Sequence, residues 1–478
     1  MNKPYKVLLM RCEEYDPDKI SGIIKEGMQE LIVKPSGKVL IKPNAVLAHK
    51  DYFTHAFTRK EFIDGVLLAL RQDLNQITEI TLGERSGLSI PTRFCFQGAG
   101  YNEIIKKHKI KKYFFDEQRH VPVPLRHKDS LRKQVFIPKP VTETDFLINL
   151  PKFKAHTWSR LTLSLKNYIG FQDDRHRLVD HNLFLEQKIA DLQEVIQSKF
   201  IAIDAIIAGE KMMLTPDPYP MGVIVMSTNS CAADTVGCHM VNVDPNQVIH
   251  LKLSSERGYG PMHLDEIDIG GNFPLEELQY KNRNFRFTME PIDKHFSQEE
   301  KLKCTVGTFP EKHSPDYCRG GCPGALLESV HIIKSVDLSL ISKMKKIHYV
   351  VGQIDHELDI AENETVFFAG NCTCYKGRLD GLNVNIQSSY KTTGLVDETK
   401  TKSNDMLKKT ISVLAKAYGR RNKKYIHAKG CPVPIGEHIN YLSAIGKIKN
   451  INFIPQLLYP VNMAYMKMRW NRFLNIFS

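Results

Sequence analysis

Short apolar runs of strand length alternate with amphipathic segments through the first 285 residues, and this alternation constrains the fold more than any other sequence feature. Apolar runs at 7–10 and 39–42 flank a segment, opened by Asp16 and Pro17, whose apolar residues recur at helical spacing. A strand–helix–strand unit of this kind crosses over right-handed, so its two strands are expected to be parallel neighbours or near-neighbours.

The same pattern continues to residue 285. Further strands are expected at 77–82, 113–116, 146–150, 201–207 and 223–226, with helices around 62–70, 102–107, 189–200 and 230–239. This pattern predicts an α/β fold with an open, mostly parallel sheet and helices on both faces, formed by residues 1–285.

A second, smaller pattern of strands and helices lies near the end of the chain. It predicts a Rossmann-like C-terminal domain at 346–478 that carries a Cys-ligated metal site. Residues 286–345 have weaker periodicity and are expected to form a Cys-containing connecting segment.

The composition is typical of a globular protein. Of 478 residues, 42% are hydrophobic and 25% are charged, and no run of 18 uninterrupted apolar residues occurs. The N-terminus leads directly into the first predicted strand without an apolar signal region. We therefore expect a cytoplasmic protein without a membrane span.

The formal net charge of +13 raises the question of an acidic partner. Two basic clusters, at 106–112 and 408–424, lie outside any recognisable nucleic-acid-binding module and are typical of solvated helix ends. Nucleic acid is therefore not the expected partner. A small anionic substrate and an acidic electron carrier such as ferredoxin or flavodoxin stay open, because long-range attraction would steer either towards a basic protein.

Polar side chains follow several predicted strands at the point where each strand ends. In an open α/β sheet the ligand crevice lies outside the carboxyl ends of the strands, so these side chains are expected to share one edge. The stretch from 144 to 181 adds basic and polar residues directly after such a strand end. The predicted substrate-binding residues are Lys42, Asn44, Arg85, Lys152, Lys154, Asn167 and His181.

Three further residues at this edge are predicted to be catalytic. His156 is expected to transfer a proton, and Lys166 to hold an anionic group. Glu84 is expected to orient a base, a role for which Asp204 is the alternative. The competing interpretation is that each of these residues is a loop residue solvated on its own.

The ten cysteines are distributed unevenly. A disulfide framework is not expected in a cytoplasmic chain. Four cysteines in the first 300 residues are interpreted as small buried hydrophobic residues: Cys12, Cys95, Cys231 and Cys238. The other six fall in the last part of the chain and need a different explanation.

Two of these cysteines, Cys372 and Cys431, directly follow strands predicted at 365–369 and 425–428. If a crossover helix makes these strands parallel neighbours, both cysteine loops emerge at one edge of the sheet. Neighbouring glycines would let the backbone approach a bulky cluster there. The predicted ligands of a 4Fe-4S cluster are Cys318, Cys322, Cys372 and Cys431.

Two alternatives to the cluster stay open, namely a structural zinc ion and a redox-active thiol set without metal. Cys374 is the alternate ligand or a spare thiol, and the role of Cys304 is undecided.

Five short motifs occur along the first part of the chain. They are Lys42-Pro43-Asn44, Gly83-Glu84-Arg85-Ser86-Gly87, Leu150-Pro151-Lys152-Phe153-Lys154-Ala155-His156, Leu165-Lys166-Asn167-Tyr168-Ile169-Gly170 and Asp234-Thr235-Val236-Gly237. Together, over roughly residues 5–265, they resemble the family called domain of unknown function 362 (DUF362), whose members are often labelled uncharacterised iron–sulfur centre proteins. The resemblance implies an iron–sulfur protein but no particular reaction.

Two shorter resemblances accompany it. The spacing of His156, Lys166 and His181 is similar to that of the residues surrounding a nickel-pincer nucleotide in lactate racemase-like proteins, although residues 159–164 replace that family's glycine-rich approach to the lysine. The turns around Cys372 and Cys431 resemble the cluster-binding turns of hydrogenase small subunits.

These observations favour an iron–sulfur oxidoreductase that acts on an anionic small molecule, with electrons relayed through a 4Fe-4S cluster. The alternatives are a non-catalytic iron–sulfur protein of electron transfer and a lactate-racemase-like isomerase with only a structural metal at its cysteines. The sequence contains no GxGxxG fingerprint, which argues against tightly bound NAD or FAD.

Overall fold

The computed structural model describes residues 3–71, 76–87, 90–177, 184–310, 315–389, 406–453 and 455–475. The chain divides into two compact units. The first comprises Met1–Phe287 together with Pro460–Ser478, and the second comprises Thr288–Tyr459. The first unit holds a large sheet and the second a smaller one.

The strands of the first unit form one large sheet and one separate pair. The large sheet contains β1 (Tyr5–Arg11), β2 (Gly37–Pro43), β3 (Ile77–Glu84), β4 (Lys111–Phe114), β7 (Phe146–Leu150), β8 (Lys152–His156), β9 (Arg160–Thr162), β10 (Phe200–Glu210), β11 (Asp217–Ser227) and β12 (Ile267–Gly271), while β5 (His120–Pro124) pairs with β6 (Gln134–Pro138).

The large sheet is mostly parallel, which confirms the predicted α/β class. Its order is β12-β1-β11-β10-β7-β2-β3-β4, with β8 and β9 attached beside β10. The strands from β10 to β4 pair in parallel, and β12 is parallel to β1. β11 runs antiparallel to both of its neighbours, which the sequence pattern did not reveal.

The helices of the first unit cover both faces of this sheet. They are α1 (Pro17–Glu30), α2 (Lys60–Leu70), α3 (Thr92–Gly98), α4 (Tyr101–His108), α5 (Lys139–Thr142), α6 (Ser164–Asn167), α7 (Asp174–Arg177), α8 (Leu185–Val195), α9 (Ser230–Met240), α10 (Ile249–Glu256) and α11 (Leu275–Lys281).

Alternation along β1 separates two hydrophobic cores. Val7 and Leu9 join a core shared with α8, α9 and α10, whereas Leu8 and Met10 join a core shared with α1 to α4. Successive strand residues point to opposite faces, so the two cores lie on opposite sides of the sheet. The four cysteines predicted to be buried hydrophobic residues are confirmed as such, namely Cys12, Cys95, Cys231 and Cys238.

The strand order reverses between β2 and β7. From β2 the chain continues outwards through β3 to β4, and it then returns to place β7 on the other side of β2 before continuing to β10. Lys42 and Asn149 are register partners across this junction. Ligands of open α/β sheets bind at the carboxyl ends of the strands where the order reverses, so this junction is the first place to look for a site.

Pro151 separates two strands of the large sheet. Strand β7 ends at Leu150, and β8 begins at Lys152 and pairs with β10. A proline removes one donor from the ladder, but β10 is long enough to pair with both strands in succession. Lys152 is thereby placed opposite Asp204.

The second unit contains a smaller sheet, as predicted. Its strands are β13 (Leu302–Val306), β14 (Ile347–Gln353), β15 (Thr365–Leu379), β16 (Leu382–Ile386) and β17 (Tyr425–Ala428), and its helices are α12 (Ile292–His295), α13 (Pro315–Gly320), α14 (Cys322–Val336), α15 (Ser339–Ser342), α16 (Met406–Gly419) and α17 (Ile435–Gly446). The segment predicted to be a connector, 286–345, contributes β13 and α14 to this unit.

Within the smaller sheet, β13, β14, β15 and β17 pair in parallel. The C-terminal half of β15 forms an antiparallel hairpin with β16. The last helix, α18 (Pro455–Leu474), carries the chain back into the first unit from Pro460 onwards. Among the described helices, none has the length and apolar character needed to cross a membrane.

Candidate functional site

Lys42 occupies the junction between β2 and β7 and is fully buried. Its Nζ donates to Glu84 Oε1 at 2.7 Å and to Asn167 Oδ1 at 3.3 Å. Burial lowers the pKa of Lys42 because it penalises the charged form, while the neighbouring Glu84 carboxylate opposes that effect. The ion pair therefore keeps a cation inside the first unit.

Glu84 is held by the backbone around it as well as by Lys42. Oε1 accepts a hydrogen bond from the Arg85 amide at 2.7 Å, and Oε2 accepts one from the Ala45 amide at 3.2 Å. Both carboxylate oxygens are thus engaged at the ends of β2 and β3. This geometry suits a residue that fixes the position of Lys42, and a role of Glu84 in orienting a base stays a prediction.

An asparagine network extends the site from Lys42. Asn167 donates from Nδ2 to Asn149 Oδ1 at 2.8 Å and accepts from Asn44 Nδ2 at 3.1 Å. The buried Asn44 Oδ1 has no hydrogen-bond partner within the described residues. An acceptor buried without a partner costs free energy, so a donor group on a ligand would be favoured there.

Gly170 leaves the space that this network needs. A Cβ atom at this position would stand 2.7 Å from Lys42 Nζ and would also overlap Glu84 Oε1. Any side chain larger than that of glycine would therefore displace the ion pair.

Lys166 lies on the short helix α6, whose first amides are capped by a buried carboxylate. Asp234 accepts hydrogen bonds from the amides of Ser164 at 2.8 Å and Leu165 at 3.0 Å. Burial raises the pKa of Asp234 to about 7, although both amide hydrogen bonds oppose the shift. Asp234 on α9 thereby fixes the helix that carries Lys166 and Asn167.

Lys166 is half-buried as a residue, and within the described part of the chain its amine has no hydrogen bond or ion pair. Its pKa is lowered to about 8, mainly by burial, with the Arg177 and Lys42 charges adding to the shift and Glu186 opposing it. An amine with a pKa near 8 is able both to hold an anion and to exchange a proton close to neutral pH.

The surroundings of Lys166 are rich in positive charge. Arg177 lies close enough to disfavour the charged forms of both Lys42 and Lys166. Burial lowers the pKa of His120 to about 4. The Asp173 carboxylate, 3.5 Å from His120, opposes this shift, and the charge of Arg85 adds to it. We use the name Lys42 crevice for the group formed by Lys42, Asn44, Glu84, Lys166, Asn167 and Arg177. Its surplus of cations favours an anionic ligand.

Two of the predicted binding lysines form a separate group instead. Lys152 pairs with Asp204 Oδ1 at 2.9 Å and donates to the Tyr15 hydroxyl at 2.7 Å. The same Asp204 oxygen accepts from the Tyr15 hydroxyl at 2.8 Å. Lys154 donates to the carbonyl oxygens of Ala56 at 2.6 Å and Met213 at 2.9 Å. Lys152 therefore connects the start of β8 to Asp204 on β10 and to Tyr15, and Lys154 contacts two backbone carbonyl oxygens.

His156 ends β8, where its side chain is buried. Its Nδ1 accepts hydrogen bonds from the amides of Trp158 at 3.2 Å and Ser159 at 3.1 Å, so in the neutral ring the proton is on Nε2. A role as proton carrier stays a prediction. His181 lies outside the described residues.

The predicted cysteine ligands all lie in the second unit, and two of them lie close to one another. Cys322 begins α14, Cys372 lies on β15 and Cys431 follows β17, which pairs in parallel with β15. A Cβ atom at Gly370 would stand 3.2 Å from Cys322 Sγ and 3.6 Å from Cys372 Sγ. Both sulfurs therefore face the same glycine, whose φ of +104° is one that residues with a side chain rarely adopt.

Charge effects connect the remaining sulfurs. Burial raises the pKa of Cys318 to about 12, and the Cys372 and Cys431 thiols add to that shift. Burial likewise raises the pKa of Cys431 to about 11, again with a contribution from Cys372. The amide of Val433 donates to Cys322 Sγ at 3.4 Å. We call these four cysteines the thiol cluster.

The donor set of the thiol cluster fits a thiophilic metal or an iron–sulfur centre, since it offers four sulfurs and a side-chain-free glycine between two of them. Nevertheless, no three Cys, His, Asp or Glu side chains of the described residues are already gathered in a metal-binding arrangement. Metal binding would have to draw the sulfurs together. Cys304 lies on β13 opposite Tyr349, and Cys374 lies two residues beyond Cys372 on β15.

Sequence reasoning missed Asn149 and Gly170 as site residues, and it gave Asp234 and Arg177 no role. Asn149 and Asp234 each carry a signal that could have been used, because Asn149 is the single polar residue of its apolar strand and Asp234 is the single acidic residue of its largely apolar helix. A buried polar residue needs a partner, so an isolated one in a core element indicates a buried contact.

Comparisons with known proteins find a relative, a solved structure and a family model that are similar to parts of this chain. The chain is 23% identical over 319 residues to thylakoid-associated protein sll1697 of Synechocystis sp., which covers 63% of this chain and 94% of that protein. The predicted cytoplasmic location stays a prediction.

A solved structure, the lactate racemase apoprotein from Thermoanaerobacterium thermosaccharolyticum, aligns with 49% of this chain and 56% of its own at 10% identity. Its TM-score of 0.32 is too low to support an argument. Residues 39–239, which include Lys42, Lys166 and Asp234, match the family model described as domain of unknown function (DUF362).

Proposed function

We propose that this protein is an iron–sulfur oxidoreductase that acts on a small anionic molecule. The thiol cluster would hold a 4Fe-4S centre, and the Lys42 crevice would hold the substrate. The observation that supports this best is that the Cys322 and Cys372 sulfurs both lie beside Gly370, with Cys318 and Cys431 close enough to affect the pKa of Cys322, in a chain that also has a group of buried basic residues. A bound 4Fe-4S centre supplies one-electron transfer.

The residues of the crevice would bind and protonate the substrate. Lys42 and Arg177 place positive charge around the amine of Lys166, which holds an anionic group when it is protonated. The unpartnered Asn44 Oδ1 accepts a hydrogen bond from a substrate hydroxyl or amine. Because its pKa lies near 8, Lys166 also donates or accepts a proton at the reacting molecule.

The metal content of the protein tests this proposal. Protein purified without oxygen is expected to be brown and to contain iron and acid-labile sulfide in comparable amounts. Replacing a cysteine of the thiol cluster by serine, as in Cys322→Ser or Cys372→Ser, should remove the colour. The matched control is Cys12→Ser, because Cys12 is equally a buried free cysteine but lies in the core of the first unit.

Two results would contradict the proposal. Stoichiometric zinc without iron would make the site structural. Colour that survives all four single serine substitutions would place the cluster on other residues.

The net charge of +13 favours a second candidate, a non-catalytic electron-transfer protein that docks acidic carriers. The two candidates differ in the effect of Lys166→Met. Under the enzymatic proposal this variant keeps the cluster spectrum but loses substrate-dependent oxidation of the reduced cluster. Under the second candidate it exchanges electrons with a flavodoxin as fast as the wild type, and only higher ionic strength slows the exchange.

A further inference from the structure

The final helix, α18, has an apolar stripe that faces solvent. Within its part that belongs to the first unit, Met466, Trp470, Phe473 and Leu474 are 58%, 62%, 52% and 47% exposed. Their spacing of three and four residues places them on one side of the helix. The rings of Trp470 and Phe473 lie 6.2 Å apart, so the stripe is continuous.

The opposite side of the same helix is the side that contacts the protein. Asn471 Nδ2 donates to Glu117 Oε2 at 2.8 Å, and Asn475 Nδ2 donates to the Glu117 carbonyl oxygen at 2.8 Å. Ala464, about two turns before Asn471 on this side, is buried. A surface helix ordinarily turns its apolar face to the core. Here polar side chains attach the helix, and the apolar face is left outwards.

The charges next to the stripe are all positive. Lys467 and Arg469 are exposed and lie on either side of the apolar residues around the helix. Between residues 451 and 478 the sequence contains neither Asp nor Glu. A stripe with these flanks is complementary to a negatively charged apolar surface, and tryptophan is the side chain that prefers the boundary between lipid and water.

We propose that the outward face of α18 is a membrane-surface anchor that binds the headgroup region of an anionic lipid bilayer. The helix lies in the plane of the interface with the apolar stripe inserted among the acyl chains, and Lys467 and Arg469 contact lipid phosphates. It does not cross the bilayer, in keeping with its limited apolar character. This inference does not depend on the proposed redox function.

Co-sedimentation of the full-length protein with lipid vesicles tests the proposal. Vesicles of phosphatidylcholine with about one third phosphatidylglycerol should sediment at least about tenfold more protein than vesicles of pure phosphatidylcholine at low salt, because each basic residue near an anionic surface contributes attraction. Charge reversal by Lys467→Glu with Arg469→Glu should weaken binding by about tenfold or more.

The apolar contribution is tested by replacing the whole stripe with serine. The combined variant Met466→Ser, Trp470→Ser, Phe473→Ser and Leu474→Ser should no longer sediment with anionic vesicles. A matched control replaces two exposed apolar residues elsewhere, Ile32→Ser and Leu338→Ser, which are 85% and 79% exposed, and should bind as the wild type does. Circular dichroism and thermal unfolding verify that each variant is folded.

Tryptophan fluorescence gives a direct readout that does not need the serine variant. The sequence contains two tryptophans, and Trp470 is the one on the stripe. Anionic vesicles should shift the emission of wild-type protein to the blue, and Trp470→Phe should remove that shift.

Three outcomes would overturn the proposal. The first is equal binding to both kinds of vesicle, and the second is no binding to either. The third is a concentration-dependent dimer that the serine variant converts to a monomer, which would identify a second copy of the chain as the occupant of the stripe.

Discussion

Lys166 shows how one residue acquires reactivity from its surroundings. Its amine lies in a crevice whose other charges are mainly positive, and burial and these charges together lower its pKa to about 8. The protonated form therefore predominates below pH 8 and the neutral form above it. The same amine would hold an anion in the lower range and accept a proton in the upper range.

Anion binding should follow this titration. Sulfate is a suitable probe because it keeps its charge throughout the range from pH 6 to 10. We expect sulfate affinity, measured by isothermal titration calorimetry, to fall as pH rises through about 8. Lys166→Met should weaken binding at pH 6.5 by about tenfold or more, since a hydrogen bond to a charged group contributes roughly 1.5–3 kcal/mol, and should remove the pH dependence.

The control for this experiment is Lys50→Met, because Lys50 is 80% exposed and carries the same charge. Unchanged affinity and pH dependence in Lys166→Met would mean that sulfate binds outside the Lys42 crevice.

The Lys42–Glu84 pair is buried on both sides, with side chains 1% and 3% exposed. Removing one partner leaves the other as an uncompensated buried charge, so Lys42→Met and Glu84→Gln should each lower the free energy of unfolding by roughly 3–5 kcal/mol. The double variant should lose less than the sum of the two. Urea unfolding of the full chain measures this double-mutant cycle. Additive losses would show that the pair contributes no coupling.

At the scale of elements, the position of α6 depends on a carboxylate from a different helix. Asp234 on α9 accepts from the first two amides of α6, and the same short helix carries Lys166 and Asn167. A helix of four residues cannot hold itself in place, because nucleation costs more than one turn of hydrogen bonds returns. Its orientation is therefore decided by Asp234 and by packing.

Asp234→Asn removes one acceptor and places a donor against an amide. We expect the free energy of unfolding to fall by about 1–2 kcal/mol. Because burial raises the folded-state pKa of Asp234 to about 7, the folded protein binds a proton more tightly than the unfolded chain. The contribution of the wild-type residue is therefore full below about pH 4 and declines as pH rises to 7.

Urea unfolding of wild type and Asp234→Asn at several values between pH 4 and 8 tests this point. The stability difference between the two proteins should narrow with rising pH. A difference that widens over this range would mean that the amide hydrogen bonds outweigh burial and that the folded-state pKa of Asp234 is depressed.

At the scale of the whole molecule, the two units predict where the chain is cut first. We expect residues 1–285 to form an independently stable domain, and limited proteolysis to cleave first where the chain passes from one unit to the next, within 285–291, which has neither helix nor strand. Mass spectrometry of the first fragments identifies the sites. Early cleavage inside 187–240, which holds most of α8 and all of β10, β11 and α9, would contradict the proposed domain.

Much of the fold follows from the local sequence pattern. Apolar periodicity placed the strands and helices of the first unit, and the rule for open sheets brought Lys42, Asn44 and Glu84 to one edge, where the structure connects them through hydrogen bonds. The prediction that Cys372 follows a strand ending at 369 is wrong, because β15 continues to Leu379 and Cys372 lies within it. Each strand and the polar residues at its end can be recognised in a local window of sequence, so the sequence alone determined which side chains lie at the strand ends.

The tertiary structure decided which strands are neighbours, and through that the makeup of the site. Periodicity does not distinguish an antiparallel β11 from a parallel one, nor does it reveal that β7 returns beside β2 and brings Asn149 opposite Lys42. Periodicity also did not show that Lys152 and Lys154 lie apart from the Lys42 crevice. Nor did it show that Asn471 of α18 donates a hydrogen bond to Glu117. These contacts join residues far apart in the chain, and they are selected by the burial of whole faces and the pairing of buried polar groups, which no local window of sequence contains.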